Sequence, residues 1–572
     1  MMAVSLDYQL NPASIREFSL VDFLLSDQQQ LTAVDAFAQL HAVDPWPAHA
    51  TVYSRLMPAS PPRHGEQYAF EVDLDRCSGC KSCVTACHTL NGLDESETWR
   101  DVGLLHGGTT ELPVLQHVTT ACHHCIDPAC LRACPVNAYE KDLLTGVVKH
   151  LSDQCFGCQY CVFACPYDVP KFNKQQGIVR KCDMCSQRLA VGEPPACVQA
   201  CPHEAIRIKV VSLQDVQHDC ESSAFLPGAP DPRLTVPTTN YVSRRVLPRN
   251  TLPVDYFRVR KEDSHLPLVF MLVLTQLSVG AFLIDLLLKS ATVFDHQVLA
   301  EVLPVHCIAA LLLGLTALAA STCHLGRPRY AYRAVLGLAH SWLSREIVAF
   351  GIFSVVAAVY AGCNWFSSAD DGKVSWLASA VGVAVVMSGL FSVFCSVMVY
   401  QSTGRPFWNA TYVNMKFFLT SIWLGLAAAL LMSVIAAGCS ATLSSTQAMA
   451  AYGDVLCRIL IGVSALKLLS ECWVLSHLRA KQITPLKRTA LLLVGPLARV
   501  TRSRLACGML GGLLLPYLLL ASQFFYPGVG FSDYTIAAAV GVLFLCGLAG
   551  ELLERYLFFV AAVAPRMPGG LA

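Results

Sequence analysis

The chain has 572 residues, 54% of them hydrophobic, and a formal net charge of +1, with a mean hydropathy of +0.46. That length exceeds one domain and that hydropathy exceeds what soluble chains usually show, so a membrane domain is expected. A near-neutral balance with no basic run or stripe excludes the electrostatic footprint of a nucleic-acid binder.

The opening MMAVSLDYQLNPASIREF has no basic stretch running into an apolar core and no twin-arginine pair. No export signal is read, and the N-terminus is expected in the cytoplasm. Residues 1–66 read as a helical extension and linker, with Leu31, Val34, Phe37 and Leu40 three apart ahead of Pro58, Pro61 and Pro62. An apolar stripe of this period ordinarily packs on its own chain, so no function is assigned to it.

Cysteine is the informative residue. Of 26 copies, 16 fall in four groups between Cys77 and Cys201, and the rest are scattered singly. In a reducing compartment, clustered cysteines point to metal ligation rather than disulfides. The groups are Cys77-x2-Cys80-x2-Cys83-x3-Cys87, Cys122-x2-Cys125-x4-Cys130-x3-Cys134, Cys155-x2-Cys158-x2-Cys161-x3-Cys165 and Cys182-x2-Cys185-x11-Cys197-x3-Cys201. Three thiolates on a tight loop can wrap one corner of a cubane, while the fourth points away to a neighbouring cluster. Pro135, Pro166 and Pro202 follow the fourth cysteine of three groups and turn the chain back, whereas the first group has His88 there. Zinc is the competing reading, but a zinc site closes with two Cys-x2-Cys pairs and has no use for the Cys-x3-Cys-Pro ending. Isolated cysteines such as Cys220, Cys363, Cys439 and Cys507 read as small apolar residues.

The cysteine domain spans 67–210. From 211 to 264 the chain is proline-rich and reads as an extended tether. From 265 to 572 long apolar segments recur, near 266–288, 298–321, 346–365, 375–399, 416–438, 452–475, 505–525 and 534–550. Each is near the length that spans a bilayer, and backbone in hydrocarbon must be helical. The fold class expected is therefore an α+β iron–sulfur domain followed by an all-α bundle of about eight transmembrane helices. Arginine and lysine sit almost entirely in the connections on one side, with only Lys289 and Lys373 on the other, which predicts that the arginine-rich side and the cysteine domain face the cytoplasm. Within the apolar segments, Asp454 with Arg458 and Lys467 with Glu471 each lie four apart and are expected to pair on one helix face or to mark a proton path, while Glu551 and Arg555 repeat the spacing near the last helix end and are assigned to a cytoplasmic quinone pocket. His306, His340 and His477 could serve as axial haem ligands.

CSGCKSCVTACHTLNG, ACHHCIDPACLRACP, DQCFGCQYCVFACPYDVP and RKCDMC…PACVQACP resemble the iron–sulfur subunit of dimethyl sulfoxide reductase-type molybdoenzymes over residues 67–210. The resemblance implies a double ferredoxin-like fold with four [4Fe-4S] clusters. One is held by Cys77, Cys80, Cys83 and Cys201, and its neighbour by Cys182, Cys185, Cys197 and Cys87. A third is held by Cys122, Cys125, Cys130 and Cys165, and the last by Cys155, Cys158, Cys161 and Cys134. Some relatives hold a three-iron cluster where a cysteine of the third group is replaced, but Cys158 is present here. CHLGRPRYAYRAVLGLAHSWLSREIVAF, from Cys323 to Phe350, and GLAGELLERYLFF look like the membrane-anchor subunit of the same reductases, so two subunits that are normally separate chains are joined. That resemblance implies a quinone (menaquinone or ubiquinone) near His324 and Glu346, with Arg327 placed to polarise a quinone oxygen, and no haem. It also implies a large molybdopterin-containing catalytic subunit encoded separately, with this chain in the cytoplasmic membrane among lipid and quinone. The expected role is electron relay in either direction, for a reductase or for a dehydrogenase such as one oxidising sulfite. A proton-translocating module and a passive anchor are the readings from other classes.

Overall fold

The computed structural model describes residues 19–21, 53–95, 97–222, 225–290, 296–366, 373–439, 449, 453–525 and 533–569. The amphipathic stripe from Leu31 to Leu40 lies outside them.

The first half is an α+β, ferredoxin-like region. Strand β1 (Glu66–Asp73) lies between β8 (Ile206–Ser212), antiparallel, and β9 (Asn240–Val242), parallel. Its six central side chains are buried because both faces are covered. Strands β2 (Asp101–Gly108) and β3 (Pro113–Thr120) form an antiparallel hairpin, to whose edge β10 (Leu252–Pro253) adds. Two small hairpins, β4 (Tyr139–Lys141) with β5 (Val148–His150) and β6 (Lys171–Asn173) with β7 (Ile178–Arg180), follow the second and third cysteine groups.

The stretch 211–264 differs from the tether expected of it. It opens with a helix, Leu213–Glu221, capped by Ser212, and then contributes β9 and β10 to the two larger sheets. Strands of two or three residues carry no alternation long enough to read in a sequence, and the prolines sit where a ladder does not need their missing N–H.

Among the described residues, eight helices are long and apolar enough to cross a membrane: α1 (Leu266–Ser290), α2 (Pro304–Thr322), α3 (Trp342–Trp365), α4 (Ala378–Gln401), α5 (Ala410–Gly438), α6 (Asp454–Arg479), α7 (Ala498–Ala521) and α8 (Asp533–Val560). Helices α1 and α5 cross where Gly280 and Gly425 meet; a Cβ on Gly280 would stand 1.8 Å from the Ser421 carbonyl oxygen. Small residues let backbones approach closely where lipid offers no hydrophobic drive to associate. A short helix, Pro485–Val494, packs between α6 and α7 and was not anticipated, being too short and amphipathic to read as a span.

The two halves share one core. Ala133, Tyr160, Phe163 and Ala164 of the cysteine region are buried together with Phe350, Tyr400, Trp408, Phe558 and Phe559 of the bundle. Backbones meet directly: a Cβ on Gly157 would lie 2.3 Å from the Gly177 oxygen and 3.0 Å from Gly326. The last described residues return to the cysteine region, where the Leu104 N–H donates to the Gly569 carbonyl at 3.2 Å.

Candidate functional site

The four cysteine groups are built to one plan, a turn that carries the first two cysteines followed by a short helix that carries Cys83 and Cys87, Cys130, Cys161 or Cys197. In each group the residue just before the second cysteine has positive φ: Gly79 (74°), His124 (42°), Gly157 (74°) and Met184 (59°). A left-handed residue curls the loop so that backbone N–H groups face inward. Accordingly the Met184 N–H donates to Cys182 Sγ at 3.4 Å, and the N–H of Gly79 serves Cys77 as that of Gly157 serves Cys155. Glycine takes this conformation freely, whereas His124 and Met184 hold it under strain.

A second device follows the fourth cysteine. After Cys134-Pro135, Cys165-Pro166 and Cys201-Pro202, the third residue along is again left-handed: Asn137 (54°), Asp168 (56°) and Glu204 (48°). The next N–H then reaches back to sulfur, from Ala138 to Cys134 at 3.2 Å and from Ala205 to Cys201 at 3.3 Å, with Val169 doing the same for Cys165. The first group, which has no proline, differs: Asn91 supplies its side-chain amide to Cys87 Sγ at 3.7 Å.

These loops converge in space. Cys77, Cys80, Cys83 and Cys201 line one cavity, and Cys122, Cys125, Cys130 and Cys165 line another. Cys87 lies among Cys197, Cys185 and Cys83, and Cys182 among Cys122, Cys87, Cys197 and Cys185. Cys161 lies among Cys158, Cys155 and Cys134. Among the described residues no three Cys, His, Asp or Glu side chains converge on the position of a single ion. Burial pushes the Cys87 thiol up to about 12 and those of Cys134, Cys165 and Cys185 to about 11. Thiolates there require a positively charged partner. Spread sulfurs ringing a cavity, with N–H donors aimed at them, fit a cubane held by four thiolates.

The group nearest the bundle is the one carrying Cys134 and Cys155–Cys165. His340 Nε2 lies 3.0 Å from the Cys134 carbonyl, and the Ser341 hydroxyl donates to Ala133 at 2.7 Å. The Tyr160 hydroxyl reaches the Val399 carbonyl at 2.9 Å and the Ser402 hydroxyl at 2.7 Å. His324 hydrogen-bonds the Cys158 backbone, and its ring stands 5.2 Å from that of His265. Burial first, then the neighbouring His265, push it down to about 4, so the imidazole is neutral near pH 7. Its Nε2 is buried with no partner among the described residues. Glu346 is buried on α3 and bonded by the Ser396 hydroxyl.

Arg327, expected at a quinone oxygen, donates to the cysteine region. Its Nε donates to the Gln176 carbonyl at 3.1 Å and one terminal nitrogen to Ser152 at 3.0 Å. Of the histidines weighed for haem, His340 is engaged as above and His306 Nε2 meets the Ala281 carbonyl at 3.0 Å.

The bundle charges pair across helices. Asp454 and Arg458 do meet along α6 at 3.1 Å, but Lys467 pairs with Glu551 of α8, and Glu471 pairs with Arg504 of α7 at 2.7 Å. Arg504 also reaches Glu551 at 3.1 Å. Glu554 takes Lys416 of α5 at 2.5 Å, while Arg555 bonds Gln276 at 2.9 Å. Lys416 and Arg504 are thus buried within α5 and α7.

Residues 262–560 match the family model described as DMSO reductase anchor subunit, which is over half of the chain. The chain belongs to the DMSO reductase anchor family. Ahead of the anchor, residues 114–211 match the 4Fe-4S dicluster domain model. That half is similar to the B subunit of the anaerobic dimethyl sulfoxide reductase of Haemophilus influenzae, at 34% identity over 188 residues, 31% of this chain and 91% of the relative. The corresponding B subunit of Escherichia coli is 36% identical over 172 residues, 28% of this chain and 83% of the relative. The thiosulfate reductase electron transfer subunit of Salmonella typhi is 36% identical over 154 residues, 26% and 80% respectively. This member of the anchor family therefore fuses an electron-transfer domain carrying 4Fe-4S clusters to a multi-pass membrane anchor.

Proposed function

We propose that this chain carries electrons between a membrane quinone, menaquinone or ubiquinone, and a separate large molybdopterin-containing catalytic subunit, through four [4Fe-4S] clusters. The clusters supply one-electron storage; the chain's own residues fix their sequence in space. Cys77, Cys80, Cys83 and Cys201 would hold the outermost, then Cys182, Cys185, Cys197 and Cys87, then Cys122, Cys125, Cys130 and Cys165. Cys155, Cys158, Cys161 and Cys134 would hold the cluster against the bundle. The observation that carries this reading is that last group's docking on the bundle, with His324 bonded to the Cys158 backbone and the Tyr160 hydroxyl on Val399 and Ser402 of the bundle.

A quinone exchanges protons along with electrons. His324, whose Nε2 is buried with no partner among the described residues, would bond a quinone oxygen, and the Glu346 carboxyl would take part in the proton exchange. Arg327 acts by holding the two halves together. The arginines concentrate at the end where the cysteine region docks, so that face lies in the cytoplasm and the bundle in the inner membrane. The relatives' names span dimethyl sulfoxide and thiosulfate reductases; the catalytic partner decides the substrate, and cluster potentials decide the direction of flow.

The test is quinol-driven reduction of the clusters in membranes, followed by electron paramagnetic resonance. His324→Leu and Glu346→Gln should each slow reduction at least tenfold while dithionite still reduces the clusters fully. Unchanged quinol rates in both variants would refute the quinone site, and purification of the protein without a large molybdenum protein would refute the partner.

A further inference from the structure

A fully buried cation is rare unless it is paired, and the cysteine region holds two. Arg100 is 1% exposed and Lys181 3%. Arg100 donates to the Thr119 hydroxyl at 3.1 Å, and that hydroxyl is 3.5 Å from Cys83 Sγ. Its guanidinium stacks 4.6 Å from the Phe70 ring centre, while Nε and one terminal nitrogen have no hydrogen-bond partner among the described residues. The sulfurs around it are those of Cys197, Cys83, Cys182 and Cys87, drawn from both outer quartets. Lys181 Nζ lies 3.6 Å from Cys122 Sγ and donates to the Cys182 carbonyl at 2.7 Å and to the Val148 carbonyl. It therefore sits between the second outer quartet and the first inner one. At the remaining junction, between the two inner quartets, the group among Cys161, Cys130 and Cys134 is the neutral phenol of Tyr139.

We propose that Arg100 and Lys181 are fixed charges set at the first two junctions of the cluster series, each raising the reduction potential of the clusters on either side of it. This rests on the four-cluster reading above. A cubane with four thiolates is already an anion and gains one further negative charge when it accepts an electron from its reduced neighbour. A cation in the low-dielectric space between them stabilises that added charge. The desolvation that makes a lone buried arginine costly is then offset by the clusters themselves. Both residues are positioning residues: Arg100 reaches the sulfur shell through the Thr119 hydroxyl, Lys181 meets Cys122 Sγ and the intervening backbone, and they react with nothing.

The experiment is a redox titration of the anaerobically purified full-length protein, followed by electron paramagnetic resonance, with iron counted in each sample. Arg100→Gln should keep its iron and move the signals of the two outer clusters to more negative potential. Arg100→Lys, which keeps the charge, should return them toward wild type. Lys181→Gln should move a different pair, one outer and one inner, and Lys181→Arg should restore it. Unchanged potentials in both glutamine variants with iron retained would overturn the proposal. If Arg100→Gln loses iron, Arg100→Lys carries the test: loss of iron there too would make Arg100 a structural residue only and overturn its charge role. A wild-type protein far short of about sixteen irons would refute the four-cluster reading instead.

Discussion

Changing Lys467 to Met removes one member of a buried four-charge group in the bundle. Lys467, Arg504, Glu471 and Glu551 balance to neutrality, with Lys467 on Glu551 and Arg504 bridging Glu471 at 2.7 Å and Glu551 at 3.1 Å. Without Lys467 the group carries an excess negative charge in a site where Glu551 is 2% exposed. Breaking one side of a buried pair costs about 3–5 kcal/mol. Because Arg504 still touches Glu551, the lower end applies, which is roughly a hundredfold in the folded-to-unfolded ratio. Glu551→Gln should cost a similar amount by stranding Lys467. The double variant Lys467→Met/Glu551→Gln leaves Arg504 and Glu471 as a neutral pair, with the Thr420 hydroxyl still bonded to the Lys416 carbonyl at 2.7 Å, and should recover about 1–3 kcal/mol relative to the sum of the singles. Unfolding midpoints of the four proteins in nanodiscs, read with a thiol-reactive dye, supply the cycle. Additive losses, or a Lys467→Met midpoint equal to wild type, would refute the cross-helix network.

Three further outcomes are expected. Tyr160→Phe removes the hydroxyl that reaches Val399 and Ser402; the Ser402 hydroxyl still bonds the Val399 carbonyl at 3.1 Å, so the loss is that of one hydrogen bond, about 0.5–1.5 kcal/mol, and quinol-driven reduction should slow while total iron stays constant. Gly157→Ala adds a Cβ 2.3 Å from the Gly177 oxygen at a φ of 74°, so the variant should lose about four irons and release the cysteine region from the bundle, checked by iron analysis and limited proteolysis. His150 is partly buried, and the desolvation pushes it down to about 4, whereas the unfolded state protonates it near the usual histidine value of about 6.5. The unfolded state therefore binds more protons between those values, so stability falls as pH drops from about 6.5 to 4. His150→Asn should flatten that fall in urea titrations across the window, and an unchanged pH slope would contradict it.

The cysteine quartets were legible because their chemistry is local: Cys-x2-Cys and Cys-x3-Cys-Pro place sulfurs on one turn, and the left-handed residues that shape those turns sit at fixed offsets from them. Membrane spans were legible because hydrocarbon imposes one length and one secondary structure. Partners were not. Spacing of four suggested Lys467 with Glu471, but a helix surface offers such neighbours whether or not a better partner stands on the next helix, and Lys467 finds Glu551 across a gap of 84 residues. Arg327 likewise looked like a substrate ligand, because nothing near it in sequence announces the carbonyls of Gln176 and Ser152. Strands β9 and β10 hid in a proline-rich stretch, since their order comes from the sheet edges they join. Arg100 and Lys181 went unread because a buried cation looks like a surface one until its surroundings are known; the only cue was a lysine directly before Cys182.

The most direct test of the relay is to isolate the full-length protein anaerobically in native membranes, count iron and acid-labile sulfide, and add quinol. The account predicts about sixteen irons per polypeptide and [4Fe-4S] signals that appear when quinol is added. Zinc in place of iron, or a full complement of clusters that dithionite reduces and quinol does not, would contradict it.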